Sequence, residues 1–291
     1  MVDWWQLAQT SWVGLLSGVN YALFAAGLTL VFGVMFVVNM AQGQFFMMGA
    51  IIAYLLTSKL GLNFFLAGFI AVILTAAVGL ATNRIAIRPL IKGSSWPVLL
   101  STIAVSMIML QTVLSTIGPT AHVLNGPFSG VMHFGQIAIS EQGLLLFVGA
   151  LAIIVAVHFF LKNSRVGKDM RATIQSPIGA ALCGINPNRV YDYTLIIGSA
   201  LAALGGIFAA VLQVANPFMG NDVLVIGFAI VIVAGMGNLK GAVIIGIAVG
   251  VIQSLFGYLV SPYFSQVLVY GIMVLTLLFK PEGLFTRTET T

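Results

Sequence analysis

The sequence predicts an all-α, polytopic transmembrane helical bundle of about 8–9 spans, one of them broken or re-entrant, in a single domain covering residues 1–291. Composition, run length and glycine-marked interruptions predict it. Of the 291 residues 60% are hydrophobic and only 7% charged, whereas an ordinary soluble domain carries roughly 25% charged residues. Mean hydropathy is +1.09. The apolar residues form continuous runs near the roughly 20 residues that cross a bilayer as a helix, not the alternating segments of a barrel. The same figures exclude a disordered chain and a soluble enzyme. A single cysteine, Cys183, and glycines without a triplet period exclude disulfide-rich and collagen-like scaffolds.

Nine apolar runs follow in order: 12–38, 44–58, 63–83, 97–117, 143–161, 193–214, 223–236, 241–260 and 264–279. The first is too long for one untilted span. The seventh is too short, because 14 residues at about 1.5 Å each reach about 21 Å against a hydrocarbon core of about 30 Å. A break is therefore expected near Asn39, and a hairpin or re-entrant element around Gly237–Gly241. Asn39-Met-Ala-Gln-Gly-Gln44 and Gly235-Met-Gly-Asn-Leu-Lys-Gly241 each lie between two apolar runs. Such paired, glycine-interrupted segments mark the pathway in repeat-built transporters; glycine is also common in membrane helices, so the two breaks can coincide without a repeat.

The basic residues give an orientation. Arg84, Arg88 and Lys92 follow the third run, Lys162, Arg165, Lys168, Arg171 and Arg189 lie in the loop after the fifth, and Lys280 and Arg287 follow the last. Placing these in the cytoplasm puts the N-terminus outside and the C-terminus inside, and leaves Lys59 as the only external basic residue. The net charge of +5 then reflects this bias and not nucleic-acid binding. Trp4, Trp5, Trp12 and Trp96 fall at span ends as interfacial anchors. Asp3 stands where a signal peptide would be basic, so the first run is expected to be a retained span.

Residues 118–142, with Pro119 and Pro127, predict an irregular outer cap. The inner loop, 162–192, predicts one or two short helices broken near Pro177. A solvated basic loop drawn to anionic lipid explains Lys162 and Arg165. It does not explain the apolar run Ile178–Ile185, which suits docking into a partner's groove.

Candidate chemistry is sparse. His122, His133 and His158 lack metal-ligand spacing, and no Gly-rich turn precedes a Lys-Ser/Thr pair. Asp3, Glu141, Asp169, Asp192, Asp222, Glu282 and Glu289 all read as loop or span-end residues. A proton-coupled transporter or intramembrane protease would place an ionisable group at mid-membrane. Sodium coupling in a stand-alone secondary transporter stays open as the rival. The translocation-pathway candidates are Asn39, Gln42, Gly43 and Gln44 at the first break, with Gly237 and Asn238 at the second. Asn20, Thr29, Thr102, Ser199 and similar residues read as helix–helix hydrogen-bonding groups. Gly14/Gly18 and Gly246/Gly250 read as close-packing faces, one of them suited to a subunit contact.

Taken together, the motifs resemble the membrane permeases of the branched-chain amino acid type of bacterial ABC importers, a group that includes urea and amide permeases. The resemblance runs over nearly the whole chain. It rests on Gly18-Val-Asn-Tyr-Ala-Leu, Asn39–Gln44, Ser164-Arg-Val-Gly-Lys-Asp-Met-Arg-Ala172, Gly184-Ile-Asn-Pro-Asn-Arg-Val190, Ala200-Leu-Ala-Ala-Leu-Gly-Gly206, Gly235–Ala242 and Lys280-Pro-Glu-Gly-Leu284. The resemblance implies an ABC-importer permease in a bacterial inner membrane, without enzymatic activity or a cofactor of its own. It would work with a second homologous permease, two cytoplasmic ATPases that hold ATP and magnesium, and a periplasmic substrate-binding protein. It also implies that Arg171–Ile185 is the ATPase-coupling element, with Arg171, Ala172, Ile178, Ala180, Ala181, Leu182, Gly184 and Ile185 as its contact residues. Many relatives carry His and Glu where this chain has Gln42 and Gln44, and a Lys in the span occupied here by Gly227–Ile230. A branched-chain or related amino acid is the expected solute, with urea, an amide, or a small carboxylic or aromatic acid as alternatives.

Overall fold

The computed structural model describes residues 4–91, 95–128, 130–134 and 137–285. Asp3, Lys92, Arg287 and Glu289 lie outside them. Helix α1 (Trp4–Met35) is followed by α2 (Gln42–Ser58), α3 (Phe64–Thr82) with a π-helical turn at Asn83–Ile87, and α4 (Ser95–Ile117). Strands β1 (Val131–Phe134) and β2 (Ile137–Ser140) then form an antiparallel hairpin. After it come α5 (Glu141–Asn163), α6 (Arg165–Gln175), α7 (Pro177–Leu182), α8 (Pro187–Leu212), α9 (Met219–Ala234), α10 (Leu239–Leu259) and α11 (Pro262–Phe279). Among the described residues seven helices are long and apolar enough to cross a membrane, and α9 is a shorter apolar helix. The all-α polytopic bundle is as the sequence predicts. The hairpin departs from the irregular cap expected there; Val131 and Ile139 supply β-branched residues that suit strands.

Local signals set the helix starts. Asn63, Ser140, Ser164, Ser176, Asn186, Asn238 and Ser261 each accept a hydrogen bond from a first-turn amide, and Pro begins α7, α8 and α11. Only α2 and α9, of the helices whose N-caps are described, begin without a side-chain cap of this kind.

Helices α1 and α8 form the buried centre, and the remaining spans surround them with largely exposed apolar faces suited to lipid. Close approach at the centre depends on glycine. A Cβ on Gly18 would lie 2.6 Å from the Ile247 carbonyl oxygen, and one on Gly250 would lie 2.2 Å from the Gly18 Cα. The Gly14/Gly18 and Gly246/Gly250 faces therefore pack against each other within this chain, so neither is left for a subunit contact.

Arg84, Arg88, Lys162, Arg165, Lys168, Arg171, Arg189, Lys240 and Lys280 gather at one end of the bundle, and Lys59 sits at the other. At this basic end Asp192 accepts from Asn83 Nδ2 (2.8 Å) and pairs with Arg84 (3.2 Å), tying the π-helical turn to the start of α8. Asn83 is fully buried. Replacing Asp192 with alanine strands its amide, which costs about 1–3 kcal/mol. Thermal unfolding in detergent is expected to show a lower midpoint for Asp192→Ala, and an unchanged one would refute the network's role.

Candidate functional site

Helix α1 runs from the neutral end of the bundle to the basic end, and α8 runs the opposite way. Each is followed by an extended segment that turns back into the bundle and starts a short helix, α2 or α9. Asn39 Oδ1 accepts from the Ala41 amide (3.1 Å), and Asn216 Oδ1 accepts from the Phe218 amide (2.9 Å). The Gln42 amide donates to the Asn39 carbonyl, as Met219 does to Asn216; Gln44 donates to Ala41, as Asn221 does to Phe218. Every pair of equivalent residues is separated by 177 positions, the spacing of Gln44 and Asn221. The two segments are inverted copies of one motif.

The copies meet. Gln44 Nε2 donates to Asn221 Oδ1 at 2.9 Å, a bond between equivalent side chains. A Cβ on Gly43 would fall 2.2 Å from the Gly220 carbonyl oxygen, and one on Gly220 would fall 2.4 Å from the Gly43 carbonyl oxygen. Gln42 Nε2 donates to the Gly198 carbonyl (2.9 Å), close to the middle of the 26-residue α8, which sets the junction near mid-depth. On its flank the hydroxyl of Thr102 accepts from the Met40 amide (3.2 Å). Asn39, Gln42 and Gln44 are all fully buried, and Gln44 Oε1 has no partner.

Four of the six predicted pathway residues, Asn39, Gln42, Gly43 and Gln44, thus share one junction. Gly237 and Asn238 do not reach it. They form the turn between α9 and α10 at the basic end, where Asn238 Oδ1 caps α10 at Gly241 and its Nδ2 donates to the Phe285 carbonyl (2.8 Å). The true partner of Asn39–Gln44 is Asn216-Pro-Phe-Met-Gly-Asn221, with Asn, Gly and a side-chain amide at the same offsets. That spacing was readable in the sequence.

Asp222 also changes place. It reads as a span-end residue in the sequence, but α9 begins at the junction, so its first turn lies inside the bundle. The carboxylate is exposed on the outer side of α9.

The second candidate element projects from the basic end. Helix α6 is amphipathic and packs its Gly167, Met170 and Thr173 face inward; a Cβ on Gly167 would lie 1.8 Å from the Leu161 carbonyl oxygen. Helix α7 leaves Ile178 77% and Leu182 86% exposed, with Ala181 also exposed. Near the end of α6, Ile174 is a further apolar side chain left exposed. Ala180 is only 4% exposed, Ile185 is partly buried against the core, Ala172 is half-buried, and Gly184 (φ +83°) makes the turn out of α7. Arg171 donates to the Leu161 carbonyl and to that of Lys162 (3.1 Å), so its guanidinium fastens α6 to the end of α5. Ile174 was not among the residues singled out from the sequence, because the extended Ser176 between α6 and α7 breaks the helical spacing to Ile178.

A multi-span bundle with polar half-helices in its interior is the architecture of a membrane transport protein. The family model described as branched-chain amino acid transport system / permease component matches residues 13–277, and the chain belongs to that family. It is 30% identical to the high-affinity branched-chain amino acid transport system permease protein BraD of Pseudomonas aeruginosa, over 95% of this chain and 94% of that one. Identity to the corresponding permease LivH of Escherichia coli K12 is 28% over the same shares. It is 30% to a probable branched-chain amino acid transport permease of Methanocaldococcus jannaschii, over 90% of this chain and 87% of that one. The chain is therefore the non-catalytic permease component of an ABC transport system, and ATP binding belongs to partner ATPases.

Proposed function

We propose that this permease passes a branched-chain or related amino acid, delivered by a periplasmic binding protein, through a bacterial inner membrane. A second homologous permease and two cytoplasmic ATPases complete the importer. The basic end faces the cytoplasm and the N-terminus the periplasm, as positive-inside asymmetry requires. Ile174, Ile178 and Leu182 dock in an ATPase groove, and the Gly43/Gly220 junction lies beside the path. The observation that carries this reading is the exposure of the apolar residues Ile174, Ile178 and Leu182 on α6 and α7, two short helices at the basic end.

Two measurements test it. Proteoliposomes holding this chain with its partner subunits and binding protein are expected to accumulate leucine only with internal ATP. Uptake by this chain alone would instead establish a secondary transporter. Cys183, the single cysteine, is exposed beside Leu182. A membrane-impermeant maleimide is expected to label it in inverted vesicles and not in intact spheroplasts, and bound ATPase is expected to block the reaction. Labelling in spheroplasts would reverse the orientation.

A further inference from the structure

Between α5 and α10 a cleft opens at the basic end. Both helices are long and apolar enough to cross a membrane, and both pack on α1, where Ile154 and Val243 join the core cluster of Leu23 and Ala26. The cleft consists of two adjoining cavities. One, of about 360 Å³, is walled by apolar side chains, among them Leu151, Val155 and Phe159 of α5 and Val243 and Ile244 of α10. The other, of about 420 Å³, lies at the turn 236–240 and is closed by His158 and Phe285. His158, Leu239 and Lys240 line both, so the two meet there.

The cleft is graded along its length. On α5, Leu151, Val155, His158 and Lys162 recur at helical spacing on one face, apolar first and basic last. On α10, which runs the opposite way, Lys240 comes first and Val243 and Ile244 follow on the same side. From Leu151 to Phe159 the apolar wall rises about 12 Å at about 1.5 Å per residue. That is close to one leaflet's half of a hydrocarbon core of about 30 Å. A helix of a neighbouring subunit would run through the full thickness, whereas a lipid of the leaflet at the basic end fills one half.

The end of the cleft is positive. Lys240 lies in the first turn of α10, where the helix dipole adds to its charge, and it has no ion pair among the described residues. The His158 ring supplies a further N–H donor to the same cavity. The Asn238 side chain is already spent, on the Gly241 amide and the Phe285 carbonyl. Among the described residues, none that lines either cavity is acidic. The ammonium of a zwitterionic headgroup would meet only cations and donors there, while a headgroup of net negative charge meets partners.

We propose that the α5–α10 cleft holds one anionic glycerophospholipid, its phosphate on Lys240 and His158 and an acyl chain against Leu151, Val155 and Ile244. The site goes beyond the transport reading: it holds whatever the solute and whichever side of the membrane the basic end faces. It also gives a place to Gly237 and Asn238, which stand away from the junction and line the phosphate end.

The assembled importer in vesicles of phosphatidylcholine with a minor share of phosphatidylglycerol tests the proposal. Phe159→p-benzoylphenylalanine puts a photo-crosslinker on the cleft wall, at a side chain that is 55% exposed. Its adducts, identified by mass, are expected to contain phosphatidylglycerol at roughly fivefold or more above its share of the bilayer, the gain that one lysine provides beside anionic lipid. Lys240→Gln with His158→Gln is expected to return the adducts to the bulk share, and Lys240→Arg alone to keep the enrichment. Adducts at the bulk share with Lys240 and His158 in place would make the lysine an ordinary interfacial residue and overturn the site. An enrichment that survives the double variant overturns it too. Crosslinking to a protein subunit assigns the cleft to that partner, and this outcome or the lack of any adduct also overturns the proposal. In detergent, phosphatidylglycerol is expected to raise the melting temperature of the wild-type importer more than phosphatidylcholine does, and to lose that advantage on the double variant. Equal effects of the two lipids on the wild type count against the site even if the double variant folds poorly.

Discussion

Replacing Leu182 with aspartate is expected to leave a folded, inserted permease that no longer couples to ATP. The side chain is 86% exposed at the end of α7 and touches little of its own chain, so the substitution costs the fold almost nothing. Its effect falls on docking. Burying a leucine in a partner contributes about 2 kcal/mol, and forcing an unpaired carboxylate into the same apolar groove adds a desolvation penalty of several kcal/mol. The sum exceeds 3 kcal/mol, more than a hundredfold in association, since every 1.4 kcal/mol is tenfold. Uptake in vesicles is expected to fall at least tenfold, and ATPase subunits are expected to be lost from the purified complex, with an unchanged melting temperature for the permease alone. Uptake at the wild-type rate would sink the coupling assignment. Ala180 provides the contrast. It is 4% exposed, so Ala180→Asp is expected to unfold α7 and lower the melting temperature as well.

The strip on α7 also shows how far the sequence reached. An apolar run beyond a basic loop predicts docking, and Ile178, Ala181 and Leu182 do stand exposed. Sequence alone does not sort Ala180 and Ile185 from them, because a six-residue helix turns inward only the residues that its neighbours α6 and α8 happen to meet. Arg171 illustrates the same limit: a guanidinium in a basic loop reads as solvated, and only the approach of α6 to α5 reveals the carbonyls of Leu161 and Lys162 as its partners.

Depth was the other property hidden from the sequence. Hydropathy finds spans and the lysines and arginines find one face, but both treat the start of a helix as a membrane surface. For α2 and α9 that rule fails. Asn39 and Asn216 turn the chain back inside the bundle, so Asp222 moves from an apparent span end to the middle. The break near Asn39 was legible because the first run was too long. Its partner was sought at Gly235–Gly241, where glycines are denser, and lay instead at Asn216–Asn221, where the hydrogen-bonding residues recur.

Substitution at that crossing is expected to have the largest effect on stability. A Cβ at Gly43 would sit 2.2 Å from the Gly220 carbonyl oxygen, 2.9 Å from its carbon and 3.0 Å from the Leu224 Cβ. The first two are backbone atoms, so no side chain can swing aside, and the short helices must separate. Separation stretches the Gln44–Asn221 bond. Overpacking of a close-packed site costs about 1–3 kcal/mol for an added methyl; Gly43→Ala falls in that range, and Gly43→Val, with two more methyl groups, exceeds it. The valine variant is expected not to accumulate in membranes, and the alanine variant to melt at a lower temperature in detergent. The inverted repeat adds a sharper requirement. Gly220→Ala pushes on the same contact from the other side, 2.4 Å from the Gly43 carbonyl oxygen, so its cost should match that of Gly43→Ala. The double variant should cost less than their sum, because helices already parted by one methyl group have room for the second. Gly68→Ala is the control: its Cβ would meet only Ile207 Cδ1, at 3.9 Å, and helix propensity favours alanine there by about 1 kcal/mol. A Gly43→Val permease with wild-type abundance and melting temperature would show that α2 and α9 do not need to touch.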